Sequence, residues 1–398
     1  MKIVKLKEVC DIHSGATPSR LVEEYWNGDI NWITPKDLNK LSTKYINEAP
    51  EKITELGYKK CSTSLLPINS LLLSSRAPIG LLAINSVPVC TNQGFKNLVV
   101  RKDKLDVLYL FYCLVFYKEK LQSLGSGSTF KEISKKIVED FEIPIPTLST
   151  QKKIAEILDT ADSLRQKDKA LIGKYNQLSQ SLFLDMFGDP KINNKKFDVK
   201  KLSEEINIIG GSQPAKKMFS NKELDGYIRL IQIRDYKSDK FATYIPKVLS
   251  KRFCYDDDIM IGRYGPPVFQ ILRGIEGSYN VALMKAVPSK KMSKEYVYHL
   301  LKSKFIQDII IGNSKRTAGQ TGVNLKLLNN LEIIIPPLDL QNKFASLIEQ
   351  IEKQKQLAEE SLKQSETLFQ SLVQKAFTGE LVKEETEAKT SKRQPSLV

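Results

Sequence analysis

The chain has 398 residues, 41% hydrophobic and 27% charged, a soluble balance with room for two ordinary domains. No apolar run approaches the roughly 20 residues of a membrane span, and the start MKIVKLKEVCDI lacks a signal-like apolar stretch, so a cytoplasmic location is expected. A formal net charge of +15, from 61 Lys and Arg against 46 Asp and Glu spread through both halves, favours a polyanionic partner such as double-stranded DNA.

In chain order, residues 1 to about 145 read as mixed α and β. KLKEVCDIHSGATPSR predicts a short helix, a strand and a glycine turn, and INWITPKDL an alternating strand ending in a polar loop that holds Thr34 and Lys36. SLLLSSRAPIGLLAINSVPVC predicts two strands around an Arg-Ala-Pro-Ile-Gly turn, and FKNLVV another strand. Residues 106–124 are apolar on nearly every face, as in a buried helix. GSGSTFKEIS then reads as a loop entering a helix, before a last strand in VEDFEIPIP.

Residues 151–188 predict a long helix with Gly173 as its one interior glycine or proline. Its apolar residues Ile157, Ala161, Leu164, Leu171, Tyr175, Leu178 and Leu182 recur at heptad-like spacing, with Asp168 the polar member of the row. Such a seam wants a partner helix. Residues 341–379 supply one, with seam positions Leu347, Ile351, Ala358, Leu368 and Leu372 and a polar middle at Gln354, Ser361 and Ser365. Both helices follow a strand ending in proline, FEIPIPTLSTQ and LEIIIPPLDLQ, at a constant offset of 190 (341 less 151). Residues 195–335 repeat the first half's order: Gly211 answers Gly15, Asp235 answers Asp37, Asn280 answers Asn92, and Leu325 answers Ile133. The chain is two copies of one unit, followed by a charged tail, 381–398, that is expected to be disordered.

Catalytic machinery is scarce. Two histidines, His13 and His299, cannot build a multi-His metal site or a histidine nuclease, so no catalytic residue and no metal is assigned. Five scattered cysteines (Cys10, Cys61, Cys90, Cys113, Cys254) without a C-x-x-C pair point to reduced thiols. The Gly/Ser loop lacks the closing Gly-Lys of a Walker loop, and neither Pro-Pro pair follows the Asn or Asp of an amino-methylating loop. The run Asp256-Asp257-Asp258 reads as a turn entering a strand.

What the sequence does offer is DNA-contact chemistry at matching places in both halves. Arg, Asn and Gln can read base edges: Arg76, Asn92 and Gln93 in the first half; Gln232, Arg234, Arg263 with Tyr264, and Gln320 in the second. The loop with Ser126, Ser128, Thr129 and Lys131, and its counterpart with Lys315, Arg316, Thr321 and Asn324, offer N–H groups, hydroxyls and cations to phosphate.

This order, with KLKEVCDIHSGATPSR, GDINWITPKDL, the Arg-Ala-Pro-Ile-Gly turn, TLSTQKKIAEILDTAD and LDMFGDP, resembles the specificity subunit of Type I restriction–modification systems over residues 1 to about 380. The resemblance implies an α+β protein: target recognition domains at 1–148 and 191–338, spacer helices at 149–190 and 339–380 lying antiparallel as a coiled-coil spacer, and a pseudo-twofold internal repeat. Each helix of about 38 residues would span roughly 55 Å at about 1.5 Å per residue. It implies a non-catalytic reader, each domain recognising one half of a bipartite site. The helices would dock two methyltransferase subunits, and restriction–translocase subunits would join them. S-adenosylmethionine, ATP and Mg would then belong to those partners. A stand-alone adenine methyltransferase and a coiled-coil scaffold without a DNA role are the alternatives.

Overall fold

The computed structural model describes residues 1–76, 78–127, 131–265, 267–314 and 322–382. The chain divides into two compact units, Met1–Asp168 joined by the segment from Ser361 onward, and Lys169–Glu360. Two helices, Leu148–Phe187 and Leu338–Thr378, contribute one half to each unit. Each ends at a glycine of positive φ, Gly188 (φ 74°) and Gly379 (φ 88°), the left-handed residue that closes a helix at low cost.

Unit 1 holds β1 Lys2–Lys5, β2 Cys10–Ser14, β3 Trp26–Ile33, β4 Tyr45–Ile46, β5 Glu51–Ile53, β6 Leu71–Leu73, β7 Leu82–Asn85, β8 Val89–Thr91, β9 Lys96–Val100 and β10 Glu142–Ile145. They form sheets of order β2-β9-β6-β7-β4, β5-β3-β8 and β1-β10. Unit 2 holds β11 Asp198–Lys201, β12 Ile206–Gly210, β13 Tyr227–Ile231, β14 Tyr244–Pro246, β15 Phe253–Cys254, β16 Ile259–Gly262, β17 Ile271–Leu272, β18 Gly277–Tyr279, β19 Leu283–Pro288 and β20 Glu332–Ile335. Their orders are β12-β19-β16-β17, β14-β13-β18-β15 and β11-β20. With β4 and β15 set aside the two topologies coincide, including a parallel pair (β3 with β8, β13 with β18) among otherwise antiparallel neighbours. The duplication read from the sequence is a duplication of fold.

The repeated Gln explains why the helix entries are alike. Gln151 is fully buried; its side-chain carbonyl accepts from the Asp106 N–H (2.9 Å), and its amide donates to the carbonyls of Lys104 (2.9 Å) and Pro146 (3.0 Å). Gln341 does the same for Ser293 (2.8 Å), Lys291 (3.0 Å) and Pro336 (2.8 Å). One amide thus satisfies three backbone groups where a strand, a helix start and a long helix meet, and burial makes each of those bonds costly to lose. Beside it, the Tyr109 and Tyr296 hydroxyls donate to the Pro144 and Ile334 carbonyls at 2.8 and 3.0 Å.

Several local expectations change. The stretch read as two strands around Arg76 forms three, β6, β7 and β8, because Pro88 starts a new strand that leaves the first sheet. The helix expected over 106–124 breaks at Tyr117 into Val107–Phe116 and Lys118–Ser123, and its counterpart breaks at Ser303 into Lys294–Lys302 and Lys304–Ser314. Asp258 lies in the expected turn, its backbone N–H bonded to the Tyr255 carbonyl at 3.2 Å.

The helix seam also differs. In unit 1, Leu158 and Ala161 share a core with Phe369, Val373 and Phe377, and the Arg165 guanidinium lies 4.3 Å from the Phe369 ring centre. Asp168 accepts from the Ser361 (3.2 Å) and Ser365 (2.9 Å) hydroxyls. In unit 2, Phe183 and Phe187 pack on Phe344 at 5.8 and 5.1 Å and on Tyr296 at 5.7 and 4.7 Å. Within each unit the helices run antiparallel: ascending residues of one meet descending residues of the other. Ala161 and Ala358 are buried as expected, and Tyr175, Leu182, Leu347, Ile351 and Leu372 are half-buried. Ile157, Leu164, Leu171 and Leu178, however, are 36%, 46%, 40% and 49% exposed, as is Leu368 at 48%. The packed row passes through Leu158, Arg165 and Ser179, one residue later, a turn of about 100° around the axis. Aromatic burial decides the register: it puts Phe183, Phe187, Phe344, Phe369 and Phe377 inside, and each ring buries more area than a leucine.

Candidate nucleic-acid interface

In unit 1 the chain leaves β3 at Ile33 and enters the short helix Pro35–Leu38. Thr34 caps it: its N–H and its hydroxyl both donate to Asp37 Oδ2, at 2.8 and 2.7 Å. Lys36 is left exposed. The parallel neighbour β8 runs into Asn92, whose N–H donates to the Ile33 carbonyl (3.0 Å) and whose Oδ1 accepts from the Gly94 N–H (2.9 Å). Gln93 is exposed at that turn and accepts from the Thr17 hydroxyl. The Gly94 carbonyl takes the Ser75 N–H (2.7 Å) and the Ser75 carbonyl the Ile133 N–H (3.0 Å). Arg76 lies 4.0 Å from Glu132, and Ser126 and Glu132 exchange backbone bonds of 3.1 and 2.9 Å. An unbroken series of backbone bonds therefore joins the ends of β3, β8 and β6 to the loop before Ser134. Lys36, Gln93, Arg76, Ser126 and Lys131 emerge along it.

Unit 2 repeats that edge. The Gln232 N–H donates to Asp235 Oδ2 (2.8 Å) and its amide to Thr243 (3.1 Å). Asn280 donates to the Ile231 carbonyl (3.1 Å) and accepts from the Ala282 N–H (3.1 Å). Arg263 donates to the Ala282 carbonyl (2.8 Å), and Val323 to the Arg263 carbonyl (3.0 Å). Arg234 occupies the place of Lys36, exposed, with Nη2 3.2 Å from the Phe241 carbonyl. Burial pushes the Asp235 carboxyl up, against the backbone bond from Gln232 and the charges of Arg229 and Arg234. Gly15 and Gly211 are both glycine for one reason: a Cβ on either would collide with the Asn92 or Asn280 carbonyl.

This geometry re-sorts the residues singled out in the sequence. The side-chain oxygens of Asn92 and Asn280 are spent on their turns, the Thr34 hydroxyl on Asp37, and that of Asn324 on the Leu327 N–H (3.1 Å) as a helix cap. These residues shape the edge. Tyr264 bridges Gly322 where Arg76 bridges Glu132, so Tyr264 stands in the place of Arg76, its ring centre 5.0 Å from the Arg263 guanidinium. Val323, not Leu325, answers Ile133, since each donates to the strand beside it. Ser128, Thr129, Lys315, Arg316, Gln320 and Thr321 lie outside the described residues.

Sequence reading missed Arg20, which forks onto Glu51 (2.9 and 2.7 Å) and lies 3.7 Å from the Trp26 ring centre. It also missed a charge asymmetry that simple counting reveals. Between Lys216 and Arg252 stand ten Lys or Arg and four Asp or Glu; between Arg20 and Lys60, seven and seven. Among the described residues no His, Cys, Asp and Glu group could hold a metal, and no helix is long and apolar enough to cross a membrane.

The family model described as Type I restriction modification DNA specificity domain matches the chain twice, over residues 1–173 and 194–366. The MjaIX specificity subunit of a Type I restriction enzyme from Methanocaldococcus jannaschii is 29% identical over 377 residues, covering 87% of this chain and 85% of that protein. The EcoprrI specificity subunit of Escherichia coli is 23% identical over 370 residues, covering 87% and 86%. The crystal structure of a Type I restriction–modification S subunit from M. genitalium superposes with a TM-score of 0.60 at 15% identity, covering 94% of this chain and 96% of that one, a likeness of fold. With both repeats matched, over most of its length, the chain belongs to the family of Type I restriction–modification DNA specificity proteins.

Proposed function

We propose that this chain gives a Type I restriction–modification complex its DNA address, the edge of each unit reading one half of a bipartite site. As a specificity subunit it recognises sequence, and catalysis lies in the subunits it assembles with. The observation that carries the two-half reading is the doubled edge: the same backbone bonds present Lys36, Gln93 and Arg76 in one unit and Arg234, Arg263 and Tyr264 in the other. Unlike side chains on like scaffolds are what two different half-sites require. Two methyltransferase subunits would dock on the outer faces of the two long helices, where packing within unit 1 leaves Ile157 and Leu164 exposed and packing within unit 2 leaves Leu171 and Leu178 exposed. Restriction–translocase subunits would join them in the cytoplasm. S-adenosylmethionine, ATP and Mg would be bound by these partners.

Replacing residues 1–145 with the corresponding part of another specificity subunit tests the reading. Methylation mapping across a genome should show one half-site changed and the other kept; a change in both would overturn it.

A further inference from the structure

We propose that unit 2 carries a site for a small multivalent anion of the polyphosphate class, one per chain, in the cavity between helix Lys294–Lys302 and the neighbouring stretches of the two long helices. The cavity encloses about 570 Å³, in the ordinary range for small-ligand sites. Four cations line it, Arg273, Lys302, Lys304 and Lys355, against one lining carboxylate, Glu352. Glu352 is taken by Lys355 at 3.5 Å, and Arg273 by Glu295 at 2.5 Å; Glu295 also bonds His299 at 3.1 Å. Among the described residues neither Lys302 nor Lys304 has a carboxylate within ion-pair distance, and Lys302 reaches only the Tyr298 hydroxyl at 3.4 Å. Lys304 also opens the helix Lys304–Ser314, whose first-turn N–H groups add to the positive potential. Two ammonium groups that line one cavity without a carboxylate partner leave it a net positive potential, which favours an anion of more than one charge.

Unit 1 shows what the same position looks like when filled. There β4 covers the edge of β7, and its neighbour Lys44 lies 2.9 Å from Asp159 and 3.4 Å from Asp162, the residues 190 before Glu349 and Glu352. Arg165, 190 before Lys355, holds Asp162 at 2.5 Å, and Tyr112, in the place of His299, donates to Asp159 at 2.9 Å. That cluster neutralises itself. In unit 2, β17 is the edge of its sheet and a surplus of cations remains. Since among the described residues the surplus lines a cavity in one repeat and not in the other, the ligand serves something the two repeats do not share, which argues against the paired subunit docking as its occupant.

The full-length chain, titrated calorimetrically at low salt with inorganic tripolyphosphate and with ATP, tests the site. We expect one tripolyphosphate per chain, bound at least 10-fold more weakly by the Lys302→Ala/Lys304→Ala variant, whose affinity for cognate duplex and thermal melt should match wild type. ATP bound as tightly as tripolyphosphate, or more so, would support the site as well. No binding of either at millimolar concentration would overturn the proposal. So would binding that the double variant keeps and Arg234→Ala removes, which would put the anion on the DNA edge.

Discussion

At the scale of single residues, buried polar groups do the most specific work. Gln341 replaced by Leu would leave the Ser293 N–H and the Lys291 and Pro336 carbonyls without partners. At about 1–3 kcal/mol for each buried group left unsatisfied, a loss of about 3 kcal/mol is expected, read from a urea midpoint with unchanged slope. A loss under about 1 kcal/mol would mean that water replaces the amide. Glu295 gives a pH signature. Burial would raise its carboxyl, but the hydrogen bonds and charges of His299 and Arg273 outweigh burial and hold it below its usual 4.5. A folded value below the unfolded one means stability that is present above the ordinary carboxylate range and lost as pH falls through the folded value. Glu295→Gln should therefore lose stability less steeply than wild type between roughly pH 5 and 3, in thermal melts followed against pH.

At the scale of elements, the helix seam separates a pattern from its register. A heptad repeat was legible in the leucines, and it does mark two paired helices. Which side of the repeat faces inward was not legible, because the packed row carries Arg165 and Ser179 beside Leu158 and so looks less apolar than the leucine row. The phenylalanines settle it, by packing onto helix Lys294–Lys302 in one unit and onto Val107–Phe116 in the other. Leu158→Asp should then destabilise unit 1 by several kcal/mol, since it buries an unpaired carboxylate. Leu164→Asp should change stability by less than about 0.5 kcal/mol, and should instead weaken co-purification with methyltransferase subunits. Equal destabilisation by both would restore the leucine row as the seam.

At the scale of the whole molecule, the chain's last helix completes its first unit. Phe369, Val373 and Phe377 belong to the core that also holds Tyr109 and Leu158. Deleting residues from Ser361 onward should raise hydrogen exchange across β1, β10 and Val107–Phe116 by orders of magnitude and leave β16 and β19 protected. Equal protection in both units would mean that unit 1 is complete without them. The charge asymmetry acts at this scale too. Neutralising Lys216, Lys217 and Lys240 should lower the slope of log affinity against log salt by up to about 3, at about 0.9 for each phosphate that is no longer neutralised. The same number of changes in the balanced segment, at Lys40, Lys52 and Lys59, should lower it less.

Much of this was written in the chain alone. The constant offset between Gln151 and Gln341 gave away the duplication, because a buried amide with three backbone partners leaves no freedom to its position. The scarcity of histidine and the basic excess pointed away from catalysis and toward nucleic acid, since both depend on composition and not on geometry. Tertiary structure decided the rest. It gave the side-chain oxygen of Asn92, named for base contact, to the Gly94 N–H, and that of Asn324, named for phosphate contact, to the Leu327 N–H, because which N–H lies beside an amide is set by the fold. It set the register of the helices through aromatic packing between elements distant in sequence. It also set Lys302 and Lys304 beside a cavity in one repeat without a carboxylate partner among the described residues, and in the twin brought Lys44 and Arg165 onto Asp159 and Asp162.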